Sequence, residues 1–304
     1  EPEDGIDPNA CVGPKRRSML SIIGSCLFIA LTTRPDICYA CGMLARHSTT
    51  PGAKHIDQLM RVVKYLNATS DMGITYRRKD LCYDGQIVSA YQSGVHPLDP
   101  DKVQPMRAYA DADFMGSYTR KSTSGWMIMF AGSCWIYSSK LQTLCSMSTA
   151  ESEVNSAVEC SKSIVHAKLL LKELGFLHQY SQPVTVHEDN SSVVAFSENL
   201  KSRKTTRHYE LRVHYLQELV QNQVVTFQQV ETKLQLADIL TKSLPRDQHQ
   251  FLRAQMLGDV EHAALTKVLV TAGQQGGGET SLNSEERSLP IEPASEIPPG
   301  EVGS

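Results

Sequence analysis

Four carboxylates stand where an acid is expensive to leave alone: Asp111 in Tyr109-Ala-Asp-Ala-Asp113, Glu153 in Ala150-Glu-Ser-Glu153, Asp189 in His187-Glu-Asp-Asn190 and Asp238 in Leu236-Ala-Asp-Ile239. Two end apolar, strand-like runs, and two lie on helix-like segments among apolar neighbours. Burying an unpaired carboxylate carries a large desolvation cost, and such acids usually hold a cation. Hard oxygen ligands select Mg²⁺ or Mn²⁺ over zinc, and two such ions can hold the attacking and leaving oxygens of an in-line phosphodiester displacement. Taken singly, each acid has a plainer reading as a helix cap or a solvated turn residue. Asp189-Asn190 ahead of a helix would make an ordinary N-cap. Four coincidences in one chain favour a shared divalent-metal site.

The elements that must position these acids are legible in the hydrophobic pattern. Ala108 to Phe114, Gly125 to Ala131 and Ser133 to Ser139 are short runs of aromatic and β-branched residues between polar or glycine turns, which predicts an antiparallel meander. Alternation along the first run puts Tyr109, Asp111 and Asp113 on one face. A long helix is expected from Thr149 to Leu174, stopped by Gly175, with Glu153 on the inward stripe of Ala157, Cys160 and Ile164. Pro183 to His187 reads as a strand with Asp189 at its C-terminal end, where ligands commonly gather. Helices over Ser191 to Asn199 and Tyr209 to Gln221, a strand over Val224 to Val230 and a last helix over Leu234 to Lys242 complete the pattern. Strands first, then alternation with helices, indicates an α/β fold built on a mixed sheet.

Ahead of this region, residues 15–80 read as helical. Met19 to Leu31 is expected as a largely buried helix, 35–47 as a second, and 54–66 as a third with Ile56, Leu59, Met60, Val63 and Leu66 on one face. Residues 81–105, rich in glycine, proline and aspartate, read as a connector to a second unit at 106–260. Residues 1–14 and 272–304 are acidic and poor in large apolar residues, and are expected to be disordered. Removing the −4 of residues 1–10 and the −5 of residues 272–304 from the net −3 leaves +6 for the part between, which permits a polyanionic partner. The longest apolar stretch is too short to span a bilayer, and no secretory signal precedes it, so no membrane association is expected. The 8 cysteines are then expected as reduced thiols in an intracellular setting. Cys38-x-x-Cys41 lacks a second ligand pair at finger-like spacing and reads as the inward face of a helix with Ile37, Ala40 and Leu44.

Residues 107–257 resemble the ribonuclease H domain of Ty1/copia-type LTR retrotransposon polyproteins. The resemblance rests on Tyr109-Ala-Asp-Ala-Asp-Phe-Met-Gly116, Arg120-Lys-Ser-Thr-Ser-Gly125, Ser138-Ser-Lys140, Ser148-Thr-Ala-Glu-Ser-Glu153, Glu188-Asp-Asn190, Arg207-His208 with Arg212 to His214, and Leu236-Ala-Asp-Ile-Leu-Thr-Lys242. It implies a ribonuclease H-like mixed five-stranded sheet with flanking helices and cleavage of the RNA strand of RNA/DNA hybrids. It also implies a set of Asp111, Glu153, Asp189 and Asp238 on two Mg²⁺ (or Mn²⁺) ions. Asp111 and Glu153 are preferred to their neighbours Asp113 and Glu151 for their strand position and inward helical face. Phe114 replaces the family's usual tryptophan.

Ser18-Met-Leu-Ser-Ile-Ile-Gly24, Thr33-Arg-Pro-Asp-Ile37, Pro51-Gly-Ala-Lys-His55 and Arg61-Val-Val-Lys-Tyr-Leu66 resemble the end of the reverse transcriptase of the same polyproteins. The paired aspartates of a polymerase palm are absent from the chain, so polymerase activity is not expected without that upstream part. The resemblance sets such a protein in the cytoplasm or a virus-like particle. Lys201, Arg203, Lys204, Arg207 and Arg212 form a basic run that could neutralise the phosphates of a hybrid, or could be a solvated helix lead-in. Two further readings stay open: a decayed or co-opted fragment that binds hybrid without turnover, and a carboxylate-metal nuclease acting on DNA. Neither the sequence nor the resemblance fixes the oligomeric state.

Overall fold

A computed structural model describes residues 14–49, 51–76, 80–83, 86–89, 106–117, 119–176, 182–198 and 209–259. Both acidic termini, most of the connector and residues 199–208 lie outside it. A five-stranded sheet carries the second half of the chain: β3 (Arg107–Asp113), β4 (Thr123–Phe130), β5 (Ser133–Leu141), β6 (Val184–Glu188) and β7 (Val225–Gln229), in the order β5-β4-β3-β6-β7. The meander β3-β4-β5 is antiparallel, while β6 joins β3, and β7 joins β6, in parallel. A small hairpin, β1 (Asp80–Tyr83) with β2 (Gln86–Ser89), falls in the segment read as connector. This strand order and pairing, with helices on both faces, is a ribonuclease H-like α/β fold.

One face of the sheet carries α4 (Thr149–Glu173), α5 (Ser191–Glu198) and α6 (Glu210–Gln221). Ala108, Ala110, Ile128, Val184 and Val186 project from the sheet onto Val154, Ala157, Cys160, Ile164 and Leu216. The small residues on both sides let α4 lie close, and Ser156 Oγ donates to the Gly125 carbonyl at 3.1 Å.

The opposite face is covered by the N-terminal helices α1 (Pro14–Thr32), α2 (Cys38–Arg46) and α3 (Ala53–Ala68), together with α7 (Arg246–Leu257). Tyr109, Met127, Met129 and Cys134 of the sheet share one core with Met19, Ile23, Cys26, Ala30, Cys38, Cys41, Leu44 and Leu59, and with Leu252 and Met256 of α7. A buried polar network ties the same parts together. Arg34 grips Asp36 through Nε and Nη2, both at 2.9 Å, and also donates to Thr69; Tyr65 donates to Asp36 at 2.6 Å and receives from Arg253 of α7 at 3.2 Å.

Several expectations shift. α1 buries a single stripe at Met19, Ile23, Cys26 and Ala30 and leaves Phe28 and Leu31 about two-thirds exposed (70% and 66%), where the apolar run predicts a largely buried helix. In α3 the buried residues are Leu59 and Val62, while Met60 is exposed. The last predicted helix is a 3-10 segment, Leu236–Leu240, because Gln235 and Thr241 pin its two ends and the backbone bonds Asp238 N–H to Gln235 O and Thr241 N–H to Asp238 O run i to i−3. α7 was not predicted. It starts after Pro245 and ends at Gly258 in the left-handed conformation. Among the described residues no helix is long and apolar enough to cross a membrane.

Candidate metal centre

The four acids reach one end of the sheet by separate routes. Asp111 lies on β3 opposite Gly125 of β4. The parallel register Ala108 to Val186 and Tyr109 to His187, carried two residues on, sets Asp111 beside Asp189, just past the end of β6. Asp189 is not the cap of the helix that follows. Asn190 does that work, its Oδ1 accepting the Ser192 N–H at 2.9 Å. Glu153 enters from the first turns of α4, whose N-terminus is closed by Ser148 accepting from the Glu151 N–H at 3.1 Å and by Glu151 accepting from the Met147 N–H at 2.7 Å. Glu151 is thus spent on closing the helix start with the N-cap Ser148, and Glu153, two residues on, points into the site. Carboxylate oxygens of Asp111, Glu153 and Asp189 all lie within 4.8 Å of one another.

Asp238 arrives on the 3-10 segment, which is fixed by side chains. Gln235, fully buried, donates to the Ala110 carbonyl at 2.8 Å, and Ser139 Oγ donates to the Leu240 carbonyl at 2.6 Å. Thr241 Oγ1 donates to Asp111 Oδ2. A Cβ at Gly125 would stand 2.5 Å from Thr241 Cγ2 and 2.8 Å from Leu240 Cβ, so only glycine lets this segment close on the sheet. Lys242 then folds back over it, with Nζ 2.8 Å from Asp238 Oδ1 and 3.9 Å from Asp111 Oδ2.

The electrostatics follow from crowding acids into a dry place. Burial, then Asp111 and Asp189, push Glu153 up to about 10, against a hydrogen bond from the Ala112 backbone. Burial and Asp111 push Asp238 up to about 7, even with Lys242 beside it, and Asp189 and Asp113 are raised for the same reasons. Burial lowers Lys242, but Asp111, Asp238 and Asp189 outweigh it and the net shift is upward. Glu153 Oε2 is buried and has no hydrogen-bond partner. Hard oxygens only, within reach of one another, with an orphaned buried oxygen among them, fit a divalent cation, which would return the energy lost on desolvation.

Two side chains of the region carried no role in the sequence reading. Glu188 is fully buried with both carboxylate oxygens unpartnered, and burial together with Glu153 raises its pKa well above the ordinary value. The alternation Val184, Val186, Glu188 could have flagged it. Lys242 could have been found from its spacing of four residues after Asp238. Of the basic run, Lys201, Arg203, Lys204 and Arg207 lie outside the described residues. Arg212, in the first turn of α6, stands 3.7 Å from Glu151 Oε1 and lines a groove of about 800 Å³ with Lys140, Gln142, Asn155 and Lys162.

No family model matches the chain. It is 30% identical over 234 residues to a retrovirus-related Pol polyprotein from transposon TNT 1-94 of Nicotiana tabacum, a match covering 77% of this chain and 16% of that protein. Transposon RE2 of Arabidopsis thaliana gives 30% over 226 residues, 74% of this chain and 14% of that polyprotein. The secreted RxLR effector protein 161 of Plasmopara viticola is 29% identical over 147 residues, 48% of this chain and 88% of that protein. Among solved structures, LC11-RNase H1 in complex with RNA/DNA hybrid aligns with 45% of this chain and 93% of that one at 13% identity and a TM-score of 0.34. A TM-score of that size carries no weight beside the strand order and pairing.

Proposed function

We propose a function from this premise: over about three quarters of its length the chain is homologous to Pol polyproteins of Ty1/copia-type retrotransposons, while spanning 16% and 14% of the two plant polyproteins above. Its function is that of a retrotransposon ribonuclease H, hydrolysing the RNA strand of RNA/DNA hybrids with Mg²⁺ or Mn²⁺. Residues 106–260 are assigned to the nuclease and residues 15–80 to the end of a reverse transcriptase whose palm lies upstream in such polyproteins. The observation that carries the reading is the convergence of Asp111, Glu153 and Asp189 within 4.8 Å at the end of adjacent strands, with Glu153 Oε2 orphaned.

In this reading Asp111, Glu153, Asp189 and Asp238 hold the metal. When bound, two such ions lower the pKa of an attacking water and stabilise the departing 3′ oxygen. The chain's own contribution is placement. β3 and β6 fix Asp111 and Asp189 side by side, the capped N-terminus of α4 fixes Glu153, and Gln235, Ser139 and Thr241 clamp the segment bearing Asp238. Arg212 and Lys140, along one groove, are suited to phosphates of a strand leading to the site, with Lys201, Arg203, Lys204 and Arg207 proposed for the same role. Recognition would read the shape and 2′-hydroxyls of the hybrid and not its base edges.

The test is incubation of the full chain with Mg²⁺ and labelled RNA/DNA hybrid, double-stranded DNA or single-stranded RNA. Selective cutting of the RNA strand, abolished by Asp189→Asn, is expected. Cutting of duplex DNA instead would replace this reading by a DNA nuclease. A second reading, a co-opted fragment that binds hybrid without turnover, draws support from the match to 88% of a protein named as a secreted effector. Tight hybrid binding without cutting would establish it.

A further inference from the structure

The outer side of α1 carries an exposed apolar stripe. Arg17, Leu20, Ser21, Gly24, Phe28 and Leu31 are all exposed and fall within an arc of about 100° on the helix, turned away from the buried Met19, Ile23, Cys26 and Ala30. A Cβ at Gly24 would meet nothing within 4 Å, so the middle of the stripe is an open dip between Leu20 and Phe28. Large apolar side chains lined up in this way mark a docking surface. The layer that bears the stripe is also the basic part of the molecule. Residues 14–76 hold eight bases against three acids, a net +5, whereas residues 106–259 hold sixteen against fifteen, a net +1.

Where the chain leaves the described residues points to the occupant. α7 ends at Gly258 in this same layer, the Leu257 carbonyl accepting the Thr75 N–H at 2.9 Å and Ser133 Oγ donating to the Thr75 carbonyl. Four residues further along β5, about 13 Å away, Tyr137 donates to the Ala30 carbonyl at 3.1 Å, beside the Leu31 end of the stripe. Residues 260–271 can extend about 40 Å, enough for that gap and for the roughly 17 Å from Leu31 to Leu20. They contain Ala263-Ala-Leu-Thr-Lys-Val-Leu-Val270, six apolar residues in eight, and lead into residues 272–304 of net charge −5. We propose that residues 263–270 dock on the Leu20, Phe28 and Leu31 stripe of the same chain, and so hold the acidic tail against the basic helical layer, where it competes with any other polyanion. The docking stands on this geometry; the competition with a nucleic-acid strand rests on the nuclease reading above.

Hydrogen exchange of the full chain, read by mass spectrometry, tests the docking. Peptides covering residues 263–270 are expected to exchange at least about tenfold more slowly than an unprotected chain of the same sequence. Phe28→Ser/Leu31→Ser, and separately Leu265→Ser/Leu269→Ser, should return them to the unprotected rate in a folded monomer, with folding read by circular dichroism and mass by sedimentation. Unprotected exchange in wild type overturns the docking, as does protection that survives Phe28→Ser/Leu31→Ser. Protection that grows with protein concentration as a dimer forms gives the stripe to a second copy and overturns the occupant within the chain. Binding of labelled RNA/DNA hybrid in EDTA reads the competition. Both undocked variants are expected to bind about tenfold more tightly than wild type at low salt, with the difference closing at high salt. Equal affinity in variants whose exchange shows undocking overturns the competition. No hybrid binding by any of the proteins overturns the nuclease reading and the competition together, and leaves the docking standing.

Discussion

Two buried ionic clusters can be set side by side in this molecule. Around Asp36, on the helical side, Arg34 supplies a bidentate grip, Tyr65 a further donor, and Thr69 accepts from Nη1 and Nη2 of the same guanidinium. At the end of the sheet, Asp111, Glu153, Asp189 and Asp238 crowd together with Glu153 Oε2 unpaired and Lys242 covering one side. The first cluster is complete as it stands, and its work is to join α1, α3 and α7. The second is incomplete in the protein alone. Acids of like charge held this close by rigid elements are a standing cost to the fold, and that cost has a use only if something positive arrives.

Breaking the complete cluster should have the largest effect on folding. Asp36→Ala leaves Arg34 buried without its partner and is expected to cost about 3–5 kcal/mol, read as a lowered urea midpoint, with hybrid cleavage per folded molecule little changed. In the incomplete cluster the ranking inverts. Asp189→Asn should lower hybrid cleavage by at least about 10²–10³-fold, the scale for losing one preorganised electrostatic contact in a transition state, while the urea midpoint holds or rises. An equal loss of stability in both variants would erase the contrast.

Between these lies Gly125→Ala, whose Cβ would meet Thr241 and the Leu240 backbone at 2.5–3.1 Å. Forcing a methyl into that contact is expected to cost about 1–3 kcal/mol and to shift Asp238 and Lys242 outward, lowering activity and stability together. A smaller effect comes from Glu153→Gln, which removes a charge that the metal-free fold resists. It should raise the metal-free stability at alkaline pH by about 1 kcal/mol and remove Mn²⁺ binding.

The smallest effect is graded with pH. Burial and neighbouring acids hold Glu153 near about 10 and Asp238 near about 7 without metal. Both lie above their unfolded values, so the folded state binds the extra protons. Their contribution to stability is fully present below the ordinary carboxylate range and is lost as pH rises through about 7 and on towards about 10. Urea midpoints in EDTA should therefore fall from about pH 5 to about pH 9, and Mn²⁺ or Glu153→Gln should flatten the slope. An unchanged slope in Glu153→Gln would locate the effect elsewhere.

Much of this architecture was legible because it rests on local pattern. The meander, α4 with its glycine stop, and the strand leading to Asp189 all follow from alternation, helical period and turn residues, and four acidic motifs pointed to one end of the sheet. What was hidden depends on distant contacts. α7 begins with Arg246, Asp247, Gln248, His249 and Gln250, so its apolar face at Phe251, Leu252 and Met256 is too short to read ahead of the core it completes. The apolar run of α1 says nothing of which side will be covered. The roles of Gln235, Glu188 and Lys242 arise from what other segments bring against them, as does the shared core that joins the N-terminal helices to the sheet.

That shared core also holds a set of timekeepers. Cys26, Cys38 and Cys41 from the helices and Cys134 from β5 are all buried in it as free thiols, and burial raises every one of them, Cys38 and Cys41 to about 12. While the helices stay docked, neither reagent nor thiolate is available for alkylation. Labelling of these four positions therefore clocks the separation of helices from sheet, Cys160 on the buried face of α4 clocks the opposite layer, and exposed Cys145 sets the unhindered rate. One unmodified chain carries the probes to tell which of its two layers opens first.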